Sequence, residues 1–311
     1  MRVVSLLPSA TEMVCAVGRR DSLVGVSHEC DWPGDVVGLP VLTRARVSPL
    51  GSSAAIDRDV RELSRDALSV YSIDVEGLRL AAPDVIVTQD LCDVCAVSYE
   101  DVCAAARELG NPELTIVNLH PTRLADVWED LRRVGRALDA VSSSEQALTE
   151  LLARVEAVRR RAEAVRSRPR VLTIEWLDPI MIGGMWMPEL VELAGGVPLV
   201  TRAGQHAPTL TPEALAALDP APDAVLIKPC GFAVTQTMRE AEGLRALLLE
   251  MPWPAVEAGR VWVADGNAYF NRPGPRIVDS LELLAGCLHP EAFPELAGRY
   301  QGVLRTDIVA G

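Results

Sequence analysis

The stretch that decides the fold is residues 83–95, Pro83-Asp84-Val85-Ile86-Val87-Thr88-Gln89-Asp90-Leu91-Cys92-Asp93-Val94-Cys95. Three apolar residues in a row, at 85–87, predict a buried strand, because strands covered on both faces of a parallel sheet are continuously hydrophobic. The polar residues that follow predict a loop at the carboxyl end of this strand, where open α/β proteins bind ligands. The stretch therefore predicts an α/β fold with a site beyond this strand.

Two other stretches have the same organisation. Residues 221–231 again run from Pro-Asp through an apolar strand to a polar loop that contains Cys230, and residues 23–30 end in His28-Glu29-Cys30. Because the carboxyl ends of parallel strands lie on one side of a fold, we expect the cysteines of these loops to converge in a cleft. Four cysteines follow the three predicted strands: Cys30, Cys92, Cys95 and Cys230.

Cysteine thiolates in such a set bind Zn²⁺ or a 4Fe-4S iron–sulfur cluster, and four ligands is the usual number for either. Two alternatives stay open. Cysteine is often simply a small buried hydrophobe, as expected for Cys15, Cys103 and Cys287 in apolar helical segments. Cys92 and Cys95 could instead form a redox dithiol, since they have Cys-x-x-Cys spacing.

Length and composition limit the class of protein. The chain has 311 residues, which exceeds what one hydrophobic core usually serves and predicts two lobes. The net charge of -13 argues against nucleic-acid binding, and no apolar run reaches the roughly 20 residues of a membrane helix. A strand that begins almost at Met1 leaves no room for a secretory signal. We therefore expect a cytoplasmic protein, and a periplasmic or extracellular one only if a signal had been removed. Seven cysteines, an odd number, agree with a reducing compartment.

Internal similarity predicts the domain organisation. Residues 170–174 repeat the residue classes of 2–6, so a second lobe begins there. From 143 to 167, apolar residues recur at helical spacing without Gly or Pro, which predicts one continuous helix about 35 Å long. Residues 40–53 show no such spacing and are predicted to be irregular. The expected architecture is α/β, with two Rossmann-like lobes bridged by one long rigid helix and a ligand cleft between the lobes. Its parts are an N-terminal lobe at 1–140, a bridging helix at 141–168 and a C-terminal lobe at 169–311.

Candidate ligand contacts lie at predicted helix starts, strand ends and loops. Ser9 and Glu12 have capping-box spacing at a helix start that could bind an anion. His28 and His120 could be axial ligands to cobalt or iron, and loop aromatics could stack on a flat ligand. The candidate ligand-binding residues are Ser9, Thr11, His28, Trp32, Arg44, Gln89, Asp90, His120, Glu175, Trp176, Trp186, Lys228, Phe232, Tyr269, Asn271 and Arg272.

These stretches resemble a known family, the helical-backbone (class III) substrate-binding proteins, which include vitamin B12-binding and ferric-siderophore-binding proteins. The likeness is carried by the strand at 2–7 with Pro8-Ser9-Ala10-Thr11-Glu12, the strands at 23–27 and 83–87, the long helix and the strand after Pro222-Asp223. The resemblance implies two lobes on one long helix that clamp a ligand with little hinge motion. It also implies a flat, metal-bearing small molecule as the ligand, with cobalamin as an example.

The sequence departs from the transport proteins of this family in two ways. We expect it to have no export signal, and three of its loops carry cysteines that a transport protein does not need. These departures favour a cytoplasmic, cysteine-bearing branch and argue against a transporter partner. The leading hypothesis is a non-catalytic cobalamin (corrinoid)-binding protein with a cysteine-ligated metal or iron–sulfur centre in the cleft. The alternative is a cytoplasmic redox enzyme or sensor centred on the four cysteines. No phosphate loop, nucleophile elbow or His-x-x-x-His motif identifies a catalytic residue.

Overall fold

The chain folds into two compact α/β units. The computed structural model describes residues 1–65, 69–91, 97–300, 302, 304–306 and 308–309. The first unit contains Met1–Pro49, Ala55–Leu151 and Pro273–Pro275, and the second contains Leu50–Ala54, Leu152–Arg272 and Arg276–Gly311. In the described part of the chain, no helix combines the length and the hydrophobicity needed to cross a membrane. The predicted α/β class with two lobes is confirmed.

The first unit is built on a four-stranded parallel sheet of order β2-β1-β5-β6. Every residue of β1 and β5 is buried, as the continuous apolar runs predicted for a sheet covered on both faces. Two further strands, β3 and β4, pair antiparallel beside it. The strands are β1 (Val3–Ser5), β2 (Leu23–Val26), β3 (Thr43–Ala45), β4 (Tyr71–Ile73), β5 (Val85–Gln89) and β6 (Thr115–Leu119).

Helices cover this sheet, and local capping explains where several of them begin. The Ser98 side chain accepts the backbone N–H of Asp101 at the start of α4, and Gly110 ends the helix in the left-handed conformation. The predicted capping box of Ser9 and Glu12 is not formed. Helix α1 begins one residue before Ser9, with Pro8 in its first turn and Leu7 at its N-cap. The helices are α1 (Pro8–Ala16), α2 (Ser53–Arg65), α3 (Val75–Ala81), α4 (Tyr99–Leu109) and α5 (Leu124–Ala137).

The long helix predicted at 143–167 is α6, which runs without interruption over Val141–Ala164. Two of its four arginines pair with acids of the same helix; Arg159 lies 2.7 Å from Glu156 and 2.5 Å from Glu163, and Arg160 lies 3.6 Å from Glu156. The other two, Arg154 and Arg161, pair with acids of α12 and α13, the helices at 277–288 and 294–299. The arginine run is therefore a solvated helix face. The division between the two units falls within α6, after Leu151.

The second unit contains a seven-stranded sheet, in which β7, β11 and β12 are parallel neighbours. Strand β8 pairs antiparallel with β7, and β13 pairs antiparallel with β12. Its core is apolar residues of these strands packed against helices and the buried Trp253. The strands are β7 (Arg170–Trp176), β8 (Ile180–Ile182), β9 (Val197–Pro198), β10 (Thr209–Leu210), β11 (Ala224–Ile227), β12 (Val261–Ala264) and β13 (Leu304–Arg305). The helices are α7 (Met187–Leu193), α8 (Pro212–Ala216), α9 (Val234–Thr237), α10 (Ala241–Leu249), α11 (Pro254–Glu257), α12 (Ile277–Leu288) and α13 (Pro294–Arg299).

The internal similarity seen in the sequence has a structural counterpart. In the first unit, Asp84 accepts the backbone N–H of Arg2 at 2.6 Å, and in the second, Asp223 accepts that of Arg170 at 2.9 Å. The guanidinium of Arg170 also donates to both carboxylate oxygens of Asp223. Each aspartate of a Pro-Asp pair thus joins the start of one central strand to the start of its parallel neighbour.

Asp223→Asn is expected to lower the thermal midpoint by a few degrees at neutral pH. Hydrogen bonds from Arg170 outweigh partial burial and hold the pKa of Asp223 at about 2. Because this pKa is below that of the unfolded chain, the pair stabilises the protein above about pH 4, and this stability is lost as the pH falls towards about 2. The loss is modest because both side chains are about one-third exposed. Thermal melts from pH 2 to 7 test this, with exposed Asp178→Asn as control; equal midpoints at pH 7 would contradict it.

Candidate functional site

The carboxyl edge of the first sheet brings together several of the predicted site residues. Because β2, β1, β5 and β6 are parallel, the residues that follow them lie along one edge. His28 follows β2, Asp90 follows β5 and His120 follows β6. In the strand order β2-β1-β5-β6, the ends of β2 and β6 are three strand spacings apart, about 14 Å. His28 and His120 therefore occupy opposite ends of this edge.

His120 and Asp90 form a hydrogen-bonded pair at the β5–β6 end. The Nδ1 of His120 lies 2.5 Å from the Oδ1 of Asp90 and 3.1 Å from the backbone oxygen of the same residue. Since Nδ1 faces two acceptors, it carries the proton and donates, and a neutral ring then has its lone pair on Nε2. The side chain of His120 is 59% exposed, so an external group can reach this nitrogen.

The environment keeps Asp90 ionised. Partial burial raises the pKa of Asp90, but hydrogen bonds with His120 and Asn118 outweigh it and leave the pKa below its ordinary value. A carboxylate that accepts the second N–H of an imidazole fixes the orientation of the ring and makes its other nitrogen a better metal ligand. The pair therefore has the chemistry of a metal-binding histidine with its supporting acid.

Residues beneath the pair hold the His120 loop in place. The backbone N–H of His120 hydrogen-bonds to Asp130 of α5, and Arg133, one turn further along, donates to the backbone oxygen of Asn118 at 2.7 Å. Asp130 is buried, with Arg133 at 3.1 Å from its Oδ1. Desolvation raises the pKa of Asp130 more than the nearby Arg133 guanidinium lowers it, and the pKa is about 6. A buried carboxylate thus supports the backbone of the exposed histidine.

His28 is held by a chain of hydroxyl groups. The Oγ1 of Thr43 accepts from the backbone N–H of His28 at 3.0 Å, donates to the Oγ of Ser27 at 3.1 Å, and lies 2.7 Å from the Nδ1 of His28. Because the single Thr43 proton is already donated, Nδ1 is the donor in this contact. The ring is half-buried against Tyr71, and burial lowers its pKa. The Nδ1 of His28 thus faces a hydroxyl where that of His120 faces a carboxylate. The carboxylate near His28, that of Glu29, lies 3.9 Å from Nε2, and His28 is less exposed than His120.

The predicted cysteine centre is only partly within the described residues. Cys92 and Cys95 lie outside them. Cys30 is buried beside Thr11, whose Oγ1 lies 3.0 Å from its Sγ, and Cys230 follows β11 in the second unit. Among the residues that the structure describes, no group of three or more His, Cys, Asp or Glu side chains could hold a metal ion. The four-cysteine centre stays a prediction.

In the second unit, predicted site residues surround the carboxyl ends of β7, β11 and β12. Lys228 is 1% exposed, and its Nζ donates to Glu175 Oε2 at 3.0 Å and to Asn271 Oδ1 at 2.6 Å. The Nδ2 of Asn271 donates to the backbone oxygens of Lys228 and Gly266 at 2.9 and 2.8 Å. This hydrogen-bonded set fixes the loop after β12 to the ends of the two neighbouring strands.

The predicted aromatic residues differ in their surroundings. Trp176 and Phe232 form an edge-to-face pair with ring centroids 5.1 Å apart, and Trp186 is buried with its Nε1 donating to the backbone oxygen of Phe270 at 2.7 Å. Tyr269 is half-buried beside Tyr300. Trp32, in the first unit, is half exposed. Trp32 therefore offers more open ring surface than Trp186.

The remaining predicted residues fall into buried and exposed groups. Ser9 and Thr11 are buried in α1, and Gln89 is buried at the end of β5. Arg272 is also buried, and its Nη2 donates to the Oδ1 of Asn267 at 3.0 Å. Arg44 is exposed on β3. The Oε1 of Gln89 is one of several buried side-chain oxygens for which the described residues supply no hydrogen-bond partner.

Sequence reasoning missed three residues that hold the two histidines: Thr43, Asn118 and Asp130. One of them carries a detectable signal, because Asp130 interrupts the apolar stripe of α5 between Val127 and Leu131. A charged residue within such a stripe is buried with a partner or with a shifted pKa. Thr43 has no comparable signal, since its role depends on the pairing of β3 with β4.

Comparisons with known proteins agree with this fold. A family model described as periplasmic binding protein matches residues 3–268. The vitamin B12-binding protein of Vibrio cholerae serotype O1 is 24% identical over 296 residues, 90% of this chain and 86% of the relative. An uncharacterized ABC transporter substrate-binding lipoprotein of Bacillus subtilis is 21% identical over 304 residues, 94% of this chain and 82% of the relative. The apo structure of a periplasmic heme-binding protein from Roseiflexus sp. RS-1 has a TM-score of 0.67 at 21% identity, with 94% of this chain and 98% of that one covered.

Proposed function

The chain belongs to the periplasmic binding protein family, and on this premise we propose that it binds a metal-bearing tetrapyrrole, a corrinoid or a heme, through the Nε2 of His120. The observation that carries the proposal is the Asp90–His120 pair, in which Nδ1 of an exposed imidazole faces the carboxylate and the lone pair of the neutral ring is on Nε2. Two relatives are named for the compounds vitamin B12 and heme. Both compounds are flat macrocycles with a metal at the centre. Such a metal accepts an axial nitrogen ligand.

Two features of the pair support coordination over ordinary hydrogen bonding. The Asp90 carboxylate holds the imidazole in the tautomer that a metal requires and increases its basicity. The backbone of His120 is anchored by Asp130, so little conformational entropy is lost when a ligand binds. At His28, Nδ1 faces the hydroxyl of Thr43, the carboxylate of Glu29 lies 3.9 Å from Nε2 instead, and the side chain is less exposed, which makes His28 the weaker candidate.

Titration of the purified protein with hemin, cobalamin and metal-free protoporphyrin tests the proposal by absorbance and calorimetry. We expect 1:1 binding of one of the metal-bearing rings, with a shift of its absorption bands that reports a nitrogen ligand, and weaker binding of the metal-free ring. His120→Ala should remove the band shift. The control is His206→Ala, which removes an exposed histidine of the second unit. Absence of binding to hemin and cobalamin at tens of micromolar, or an unchanged spectrum in His120→Ala, would refute the proposal.

Asp90→Asn is expected to weaken binding of the metal-bearing ring by about 10–100-fold, the usual effect of losing the acid that supports a metal-binding histidine. An amide accepts more weakly than a carboxylate and can present its NH₂ group to Nδ1 instead, so the ring loses both basicity and orientation. Calorimetric titration measures the change, with exposed Asp21→Asn as the control. Wild-type affinity in Asp90→Asn would show that the pair does not support a ligand.

The cysteine-ligated centre is a separate hypothesis. It requires four thiolates from Cys30, Cys92, Cys95 and Cys230, whereas tetrapyrrole binding through His120 requires none of them. Protein purified anaerobically and analysed for iron and zinc distinguishes the two, since an iron–sulfur cluster absorbs without added ligand. Iron with sulfide in stoichiometric amount would support the centre and the redox alternative, whereas zinc, which has no redox chemistry, would support the centre alone.

The partner proposed for a protein of this family is a membrane transporter that receives the ligand, as the name of the Bacillus subtilis relative indicates for that protein. A cytoplasmic location would argue against such a partner, and that location remains a prediction. A pull-down of membrane proteins with the ligand-loaded protein, compared with the ligand-free protein, tests for a transporter. Ligand-dependent recovery of a transporter would favour the family role over the sequence-based expectation.

A further inference from the structure

Cys30 is buried against helix α1. Its Sγ lies 3.0 Å from the Oγ1 of Thr11, which is itself 2.8 Å from the Oγ of Ser5. The cysteine of α1, Cys15, follows Thr11 by four residues. Residues four apart lie on the same face of a helix, about 5–6 Å apart at Cβ, so the side chains of Thr11 and Cys15 are neighbours. The sulfur of Cys30 therefore lies against the helix face that carries Cys15.

The segment that follows Cys30 runs along the same face of the helix. Cys30 contacts Thr11 near the start of α1. Asp35 pairs with Arg20, beyond the end of the helix, with Oδ2 and Nε 3.0 Å apart. Cys15 lies between Thr11 and Arg20 in the sequence, so the segment extends past it. The side chain of Cys15 is half-buried, and all five residues belong to the first unit.

The surroundings of Cys15 agree with this placement. Burial raises the pKa of its thiol to about 11, and smaller contributions come from four neighbours: Asp35, Glu12 and Cys30 raise the pKa, and Arg20 lowers it. Because charges act over a limited range, the contribution of Cys30 indicates that the two thiols are near each other. The thiolate is the reactive form of cysteine, so a thiol with this pKa reacts slowly at neutral pH.

We propose that Cys15 and Cys30 are a modification site, at which a disulfide oxidant such as oxidised glutathione joins them in an intramolecular disulfide. The thiolate of Cys15, the less buried of the two, attacks one sulfur of the oxidant and releases a first glutathione thiolate. The Cys30 thiolate then attacks the Cys15 sulfur of this mixed disulfide and releases the second. Two protein thiols are oxidised, one small disulfide is reduced, and the two thiol protons pass to the released glutathione.

The bond places a geometric demand on the segment after β2. A disulfide requires Cα atoms about 4.4–6.8 Å apart. Residues 30–33 lie in neither a helix nor a strand, so this segment can adjust towards α1. Once formed, the bond closes a loop between residues 15 and 30, which restricts the unfolded chain and stabilises the folded one. It also fixes the segment that carries the half-exposed Trp32.

This disulfide is independent of tetrapyrrole binding through His120, and it excludes the four-cysteine centre, because a sulfur in a disulfide is not available as a thiolate ligand. The test uses the full chain with Cys92→Ser and Cys95→Ser, so that the Cys-x-x-Cys pair cannot form a disulfide of its own. The reduced protein, freed of reductant and metal, is incubated with oxidised glutathione at about pH 8.5, where more thiol is ionised. We expect a mass decrease of about 2 Da, for the two hydrogens lost, and one cross-linked peptide that contains Cys15 and Cys30. The thermal midpoint should rise by several degrees and return on reduction.

Single substitutions in the same protein provide the controls. Cys15→Ser and Cys30→Ser should each abolish the cross-link and the rise in midpoint. Cys103→Ser, which removes another half-buried cysteine of the first unit, should leave both intact. Hydrogen exchange of residues 30–36 should become slower on oxidation only in proteins that retain both thiols. A cross-link from Cys30 to another cysteine, glutathione adducts without a cross-link, or thiols that all stay reduced would overturn the proposal.

Discussion

Gly266→Ala is expected to lower the free energy of unfolding by at least about 3 kcal/mol, at the upper end of the usual cost of overpacking. A Cβ at this position would lie 2.0 Å from the backbone oxygen of Pro229 and 2.7 Å from the backbone oxygen of Lys228. These are backbone atoms that follow directly after β11, so no side chain can rotate away to relieve the clash. The loop after β12 must move outward, and it would then lose the hydrogen bonds from Gly266 to Phe232 and from Asn271 to Gly266.

Urea unfolding followed by circular dichroism measures this effect, and the chain contains a matched control. Gly243 lies exposed within α10 of the same unit, and a Cβ there would have no neighbour within 4 Å. Gly243→Ala should therefore stabilise the protein by about 1 kcal/mol, because alanine loses less conformational entropy than glycine in a helix. A Gly266→Ala protein as stable as wild type would show that the loop can shift away from β11 without cost.

Asp130→Asn is expected to raise the free energy of unfolding by about 2 kcal/mol at pH 7.5 and to leave it nearly unchanged at about pH 4. Desolvation raises the pKa of Asp130 from 3.8 to about 6, against the opposing effects of Arg133 and of the His120 backbone N–H. A shift of that size corresponds to about 3 kcal/mol of lost stability once the group is ionised in both states. Part of the gain is offset in the variant by the lost ion pair with Arg133, at 3.1 Å.

The direction of the pH dependence follows from the raised pKa. Between about pH 4 and pH 6 the folded protein binds a proton that the unfolded chain has released, so stability falls as the pH rises through this range. The asparagine variant should lack this fall. Asp126→Asn on the same helix is the control with the opposite sign. Hydrogen bonds from Thr122 and Arg123 outweigh burial and lower the pKa of Asp126, so its loss should destabilise the protein above about pH 4. Greater stability of wild type than of Asp130→Asn at pH 7.5 would contradict the prediction.

Elements whose signals are local could be predicted from the sequence. The apolar run at 85–87 became β5, and the stripe that begins at Leu124 became α5, because burial of one face is encoded by residue spacing alone. Helix α8 begins at Pro212, and the Thr211 side chain before it accepts a backbone N–H of the first turn. This signal is also local, because the cap and the helix start are adjacent in the sequence. Residues 40–53 were predicted to be irregular, yet they contain β3. A strand of three residues shows no measurable period, and β3 depends on pairing with β4, nearly thirty residues later.

The candidate site shows the same division. Asp90 and His120 were both predicted as site residues because each follows a strand, but the sequence did not pair them. Their pairing depends on β5 and β6 being neighbours in register, with Gln89 beside Leu119. Lys228 was likewise predicted as a ligand contact from its place after a strand. Its burial between Glu175 and Asn271 follows from the meeting of three elements that are distant in the sequence.

The sequence by itself determined the α/β class, the two lobes, the long helix and the loops in which site residues lie, because hydrophobic periodicity and Pro-Asp repeats are properties of short segments. Only the tertiary structure decided which of those residues share a hydrogen bond, which nitrogen of His120 faces Asp90, and which charges are buried. The partners and the desolvation of a side chain depend on atoms that the sheet order brings together. Those atoms belong to residues far apart in the sequence, so residue spacing does not indicate that they are close.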